Sequence, residues 1–179
     1  MKIVNKGYLL KDRIAMSLQE KEYFFPEDKL LVSKTNTKGI ITYANEAFIT
    51  ISGYDEAELI GKPHNIVRHP DMPKIIFKML WDYLVKGSEI HAYVKNRSKD
   101  GGYYWVLANV TPSYDVNNNI IGFHSARRVP PKEALETIKP LYLELLNHEK
   151  QGGISASEAY LTSILKSKGV EYDEFILSV

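Results

Sequence analysis

Cysteine is absent from the 179-residue chain. That excludes a disulfide, a thiolate-bound metal and a cysteine nucleophile. It also agrees with a reducing compartment, so a cytoplasmic location is expected. Long apolar runs are lacking too. No stretch approaches the roughly 20 apolar residues of a membrane span, and Met1-Lys2-Ile3-Val4-Asn5-Lys6-Gly7 lacks the apolar centre of a secretory signal. A soluble chain without direct membrane insertion is the expectation. Neither sign of charge dominates: Lys+Arg is 23 and Asp+Glu is 22, a formal net charge of +1. Such a balance gives no bulk attraction to nucleic acid or to an anionic membrane. What is present is a core-forming composition. Tyr (12), Phe (6) and Trp (2) contribute to a hydrophobic fraction of 44%, enough for one ordinary domain with extensions.

Leu10, Ile14 and Leu18 recur at helical spacing, which predicts a short amphipathic helix over about 9–22, ended before Pro26. Its stripe fits either docking onto the domain or a dimer contact. Leu30–Thr35 and Ile40–Tyr43 read as strands joined by the turn Asn36-Thr37-Lys38-Gly39. Apolar positions at helical spacing follow over Ala44–Ile51. A one-turn helix capped by Asp55 and closed by Gly61 comes next. Lys74–Val85 has a broad apolar helical face stopped by Gly87. Glu89–Asn96, Tyr103–Ser113 and Ile120–Arg128 read as a three-stranded antiparallel meander, joined through Ser98–Gly102 and Asp115–Asn119. Beyond Pro130-Pro131 a helical stripe runs from Leu135 to Leu146. Pro140 lies within it and predicts a kink or two abutting helices. Gln151-Gly152-Gly153 is a break. Ser155 to Glu158 reads as a capping box for a helix reaching Lys168, with Gly169 as its stop and one last turn over Tyr172–Ile176.

The run Gly61 to Pro73 stands apart. Its end, Arg68-His69-Pro70-Asp71-Met72-Pro73, puts a cation, an imidazole and a carboxylate within four positions between two helical segments. Placing that beside a core is costly unless something polar is held there. Each side chain also has a local reading. Asn45 can cap the helix that begins there. Asn96 can serve the end of a strand. His69 can satisfy a backbone carbonyl, Asp71 can cap the following helix, and Arg68 and Asp71 can pair. Trp81 and Trp105 read as core or cavity-wall residues. Lys95, Arg97 and Lys99 read as a solvated basic hairpin tip. His64, His69 and Asp71 lack a firm metal-ligand spacing, so no metal is expected.

Gly39 to Phe48, Ser52-Gly53-Tyr54, and Glu58 to Gly61 resemble the start of PAS domains. The run Gly61 to Pro73 is narrower. With Val94 to Arg97, Lys99-Asp100-Gly101 and Tyr104-Trp105-Val106, it resembles the PAS domain of bacterial aerotaxis receptors and of related stand-alone energy-taxis sensors. The resemblance covers about residues 30–142. It implies an α+β PAS fold: a five-stranded antiparallel sheet with short helices on one face and flanking amino- and carboxy-terminal helices. The implied division is an amino-terminal helical extension (1–27), a PAS sensor domain (28–130) and a carboxy-terminal helical extension (131–179).

By the same resemblance the cofactor is FAD, held noncovalently and read for its redox state, with haem as the alternative through His69 or His91. The cofactor-binding positions it implies are Arg68, His69, Asp71, Asn45 and Asn96, and Trp81 joins them as a cavity-wall residue. Side-chain amides suit a flavin's pyrimidine edge, and an arginine can fork onto a pyrophosphate. One departure is visible. Aerotaxis receptors carry a Trp before the Lys95-Asn96-Arg97 strand, and Ile90 takes that place here, removing an aromatic wall. A PAS interaction module with an empty or different pocket is therefore the rival reading. The covalent photocycle of light-sensing relatives needs a cysteine and is excluded. No turnover is expected. The implied partner is a membrane-bound chemotaxis-type transducer or another signalling protein, with a homodimer through the flanking helices as a second contact.

Overall fold

The computed structural model describes residues 18–179. Strands β1 (Leu31–Asn36) and β2 (Ile41–Ala44) form the first hairpin. Three short helical pieces follow: α1 (Glu46–Ser52), α2 (Glu56–Leu59) and a 3-10 turn over His64–Val67. Helix α3 (Lys74–Leu84) leads into the meander β3 (Ile90–Arg97), β4 (Tyr103–Tyr114) and β5 (Ile120–Arg128). The carboxy-terminal part is α4 (Lys132–Lys168) and α5 (Tyr172–Ser178). The strands make one antiparallel sheet in the order β2-β1-β5-β4-β3. This is the α+β class and five-stranded sheet expected from the sequence.

Side-chain alternation divides the work of the sheet. Ser33, Thr35, Val94, Asn96, Ala108, Val110, Phe123, Ser125 and Arg127 all face the space beneath the short helices. Tyr93 and Trp105, of opposite parity, meet α4: the Tyr142 hydroxyl donates to the Tyr93 carbonyl at 2.7 Å, and Tyr142 lies 6.1 Å from Trp105, ring to ring. Neither outer strand is left as a bare edge. Ile41 is hydrogen-bonded on the far side of β2 by Gly61 and Lys62. Asn96 of β3 is bridged by Arg68.

Three expectations at the ends of the chain meet the structure differently. Residues 9–17 of the expected amino-terminal helix, and any dimer contact made there, lie outside the described residues. The remainder, 18–22, is extended: Gln19 donates to the Gly101 carbonyl, and Glu22 bridges Tyr103 in parallel. The Tyr103 amide donates to Lys21 in return, so strand-like pairing outcompetes the helical stripe. The bend in α4 falls at Gly152 and Gly153, with φ of −142° and 71°, and not at Pro140. Pro140 and Glu136 are exposed. The carbonyl that proline leaves unpaired therefore faces water, and the helix continues through it.

Gly122 is the position where β5 needs a glycine. A Cβ there would collide with the Thr35 carbonyl oxygen of β1. Gly122→Ala should therefore lower stability by about 2 kcal/mol, as overpacking between paired strands does. Urea denaturation of both proteins checks this.

Candidate functional site

A cavity of 270 Å³ lies between the inner sheet face and the short helices. Phe77, Leu80, Trp81 and Leu84 of α3 form one wall, while Val94, Ala108, Val110 and Phe123 come from the sheet. Trp81 meets Phe123 edge-on at 5.5 Å. Gly39, at φ 74°, lets the first hairpin turn approach the Trp81 ring, which a Cβ would meet at 3.2 Å. A larger concavity of 780 Å³ is an open groove between Tyr23–Pro26 and α1. The smaller space is the better candidate because buried polar groups converge on it.

The chief of these is Arg127, 4% exposed. Its guanidinium donates to Ser33 Oγ at 2.9 Å, to the Leu31 carbonyl at 3.4 Å and to His64 Nε2 at 2.8 Å. Among the described residues, no carboxylate pairs with it. Burial pushes its pKa down to about 10, so it stays a cation at neutral pH. His64 stacks on Phe48 at 5.8 Å. Burial and then the Arg127 charge push its pKa down to about 3. Its imidazole is therefore neutral, with Nε2 accepting from Arg127. Asn96 Nδ2 and Ser125 Oγ are buried on the same cavity without hydrogen-bond partners. An unpaired buried amide or hydroxyl is costly unless a ligand or water completes it.

Of the positions expected to bind a cofactor, the structure brings Arg68, Asn96 and Trp81 together on this cavity. Arg68 stacks on Phe77 at 3.9 Å and makes one long bond, 3.5 Å, to the Met72 carbonyl. Asn45, His69 and Asp71 do not line it, and each has a local role instead. Asn45 Oδ1 accepts from Val32 N at 2.9 Å and Phe48 N at 3.0 Å, and its amide donates to the Leu30 carbonyl at 2.8 Å. It caps α1 and fastens that helix to β1, using its Oδ1 acceptor twice and its amide once. His69 is buried against Tyr103 and accepts from Asp71 N at 3.1 Å. Burial, followed by the Lys95 charge, pushes its pKa down to about 4. Asp71 pairs with Lys95 at 2.8 Å and pins the loop to β3. The basic tip is likewise paired at Lys99, which bonds Glu58.

The two imidazoles considered for haem also lie elsewhere. His69 packs on Tyr103, and His91 pairs with Asp173 of α5 at 3.0 Å. Ile90 is fully buried beside Val110, with which it pairs, and is not itself part of the cavity lining. Sequence reading missed Arg127, and considered His64 only as a metal ligand. The available signal was parity: Phe123, Ser125 and Arg127 alternate along one strand and so share its inward face.

The sequence model of the PAS fold family matches residues 41–127. The chain is 44% identical over 119 residues to the aerotaxis receptor of Escherichia coli, covering 66% of this chain and 23% of the receptor. It is 29% identical over 101 residues to the nitrogen fixation regulatory protein of Klebsiella pneumoniae, covering 55% of this chain and 20% of that protein. The chain thus spans less than a quarter of the length of either relative. Among solved structures, the light-state structure of the blue-light photoreceptor Aureochrome1 LOV aligns with a TM-score of 0.54 at 21% identity, over 60% of this chain and 86% of that one. A PAS domain from Colwellia psychrerythraea aligns with a TM-score of 0.53 at 22% identity, over 57% and 87%. These two likenesses concern the fold.

The neutral histidines set a pH dependence. A histidine whose folded pKa is depressed below 6.5 binds its proton first in the unfolded chain. Stability from His64 is therefore present above about 6.5 and is lost as pH falls toward about 3. The slope is on the order of 1 kcal/mol per pH unit. Urea midpoints between pH 7 and pH 4 should fall less steeply in His64→Gln than in the parent. Asn45→Ala should lose about 2 kcal/mol, through its cap and the buried amides it leaves unpaired, in the same denaturation assay.

Proposed function

Residues 41–127 belong to the PAS fold family, and from that premise we propose that this domain is a sensor whose cavity takes up FAD and whose redox state is reported to a signalling partner. The observation that carries the reading is Arg127: a buried cation without a carboxylate among the described residues, directed at a cavity with aromatic walls. Two further polar groups, Asn96 Nδ2 and Ser125 Oγ, lack partners at the same place. An electron-rich planar ring carrying amide-like edges meets all three needs: apolar contact, hydrogen bonds and compensation of positive charge.

A bound flavin supplies reversible electron transfer coupled to protonation of its ring system. This chain's residues have separate tasks toward it. Phe77, Trp81 and Phe123 offer apolar walls and keep water out. Asn96 can donate through Nδ2 and, by a flip of its amide about the Cβ–Cγ bond, present its oxygen instead. Arg127 holds a fixed positive charge that favours added electron density. His64, being neutral, accepts from Arg127 at Nε2 and positions that guanidinium. Arg68 stands on the cavity lining before α3 and is the candidate for the pyrophosphate, since a guanidinium can make a two-point contact with phosphate oxygens. At 270 Å³ the cavity is small for a whole dinucleotide, so the adenosine portion would lie outside it.

The role proposed is sensing, without turnover. The partner proposed is a membrane-bound chemotaxis-type transducer or another signalling protein, supported by the likeness to the aerotaxis receptor.

The purified 179-residue chain titrated with FAD should quench flavin fluorescence saturably and retain the visible absorption of oxidised flavin after dialysis. Asn96→Ala should weaken uptake about tenfold, in line with loss of a buried hydrogen bond. Arg127→Gln should weaken it at least as much, with circular dichroism confirming an intact fold. A parent protein that takes up no FAD, or folded variants that bind as the parent does, would sink the reading.

A further inference from the structure

Exposure sorts the cavity lining into a floor and a mouth. Asn96, Ser125 and Arg127 are buried at the floor. Lys38, Pro63, Asn65 and Trp81 line the same space and are exposed, so they mark where it opens. The backbone around that opening is fixed. Asn36 Oδ1 accepts from Lys38 N at 2.9 Å and from Ile40 N at 3.1 Å, closing the β1–β2 turn from within. The Gly39 carbonyl accepts from His64 N at 2.9 Å and ties that turn to the 3-10 turn beside it. Trp81 stands on α3, which the carboxy-terminal arm (α4 and α5) holds in place. Glu149 Oε1 accepts from Ile75 N at 2.9 Å, and Lys78 Nζ donates to Glu158 at 2.9 Å. Lys38 serves this frame through its backbone alone. Among the described residues, its ammonium has no carboxylate partner.

Charge on the lining is one-sided. Lys38, Arg68 and Arg127 are cations, and neither Asp nor Glu lies on the cavity. Composition does not explain this, since the chain has 23 basic and 22 acidic residues. The open groove between Tyr23–Pro26 and α1 shows the ordinary balance: Lys29 and Lys99 there are offset by Glu46 and Asp100. A concave site lined by one sign of charge concentrates ligands of the other. Arg127 lies at the floor, where a ring system would sit. Lys38 and Arg68 are left for charge carried outside the ring.

We propose that Lys38 and Arg68 form a phosphate subsite at the mouth of the cavity, and that Lys38 makes the site prefer phosphorylated flavins over the unphosphorylated ring. This role rests on the FAD reading and adds the second cation to it. A diphosphate carries negative charge on each phosphate, and Arg68 alone matches one of them. The two cations suit different parts of the task. Arg68 is stacked on Phe77 at 3.9 Å and presents a fixed fork. Lys38 offers a point charge on a flexible stem, which can follow a phosphate outside the walls.

Titration of the 179-residue chain with riboflavin, FMN and FAD separates charge from ring. At low ionic strength the parent should bind FMN and FAD about tenfold more tightly than riboflavin, as a charge-assisted hydrogen bond allows. Added salt should shrink that advantage by screening it. Lys38→Met should cut the advantage about threefold, the scale of one exposed charge pair, and leave riboflavin affinity unchanged. Lys38→Glu should cut it about tenfold, because repulsion replaces attraction. Lys38→Arg should keep it. All three variants should keep the parent's urea midpoint, since the Lys38 side chain makes no hydrogen bond or ion pair among the described residues. An equal loss of riboflavin and FAD affinity in Lys38→Met overturns the subsite and leaves the cavity reading standing. So does unchanged FAD binding in both Lys38→Met and Lys38→Glu, or a parent that binds riboflavin as tightly as FAD. A parent that takes up none of the three flavins overturns the cavity reading and the subsite with it.

Discussion

The burial of Arg127 constrains the rest of the inner structure. A guanidinium taken out of water without a carboxylate is expensive, and the surrounding elements are arranged to reduce that cost. β1 supplies the Leu31 carbonyl and the Ser33 hydroxyl. The 3-10 turn supplies His64, whose neutral ring accepts where a charged one would repel. Phe48 of α1 lies 5.1 Å below the guanidinium. One side chain of β5 thus draws on β1, α1 and the turn together. Each of these contacts is neutral, so the positive charge is solvated but not cancelled. The cavity it faces consequently has a polar, cationic floor under aromatic walls, an arrangement that a purely structural core would replace with apolar packing.

The sheet carries this asymmetry to its other face within a single strand. In β3, Val94 and Asn96 line the cavity while Tyr93 lies between them and the arm. The Tyr93 carbonyl, to which Tyr142 of α4 is bonded, lies on the same strand as Asn96. Asn96 is also bridged to Arg68. Two connected paths therefore leave the cavity, one through the sheet and one through the Arg68 segment and α3, and both arrive on α4. Such continuity is a physical precondition for coupling rather than a demonstration of it.

Local features were the legible part of this sequence. Turn residues at Asn36–Gly39 and Asp115–Asn119, the strand alternations, and the left-handed glycine stops at Gly87 and Gly169 report directly on nearby backbone. Asn45 was legible as a cap for the same reason. Properties that depend on distant partners were not. Pro140 looks like a kink until its exposure is known. The Leu10–Leu18 stripe gives no sign that 18–22 will be captured by the β3–β4 hairpin. Arg68, His69 and Asp71 look like one cluster in sequence, yet the loop sends Arg68 to the cavity and the other two to Lys95 and Tyr103. The partners of Arg127 lie 63 and 94 positions away, beyond the reach of any local pattern.

Ile90 illustrates how a single substitution misleads when the wall it belongs to is assumed rather than seen. Read as a lost aromatic, it suggested a cavity open on the β3 side. In the fold it is enclosed in the core, and the aromatic wall stands on α3 and β5, where Trp81 closes edge-on against Phe123. That placement has a consequence beyond volume. The Phe123 part of that wall is held by strand pairing on both sides of β5. A wall on α3 is only as well positioned as the helix itself, which packs on the sheet below and is fastened by Glu149 and Lys78 to the arm above. The cavity and the arm therefore share a structural element, and neither can be altered without some effect on the other. That shared dependence on α3, more than any one contact, makes the carboxy-terminal extension part of the domain's physics rather than an appendage to it.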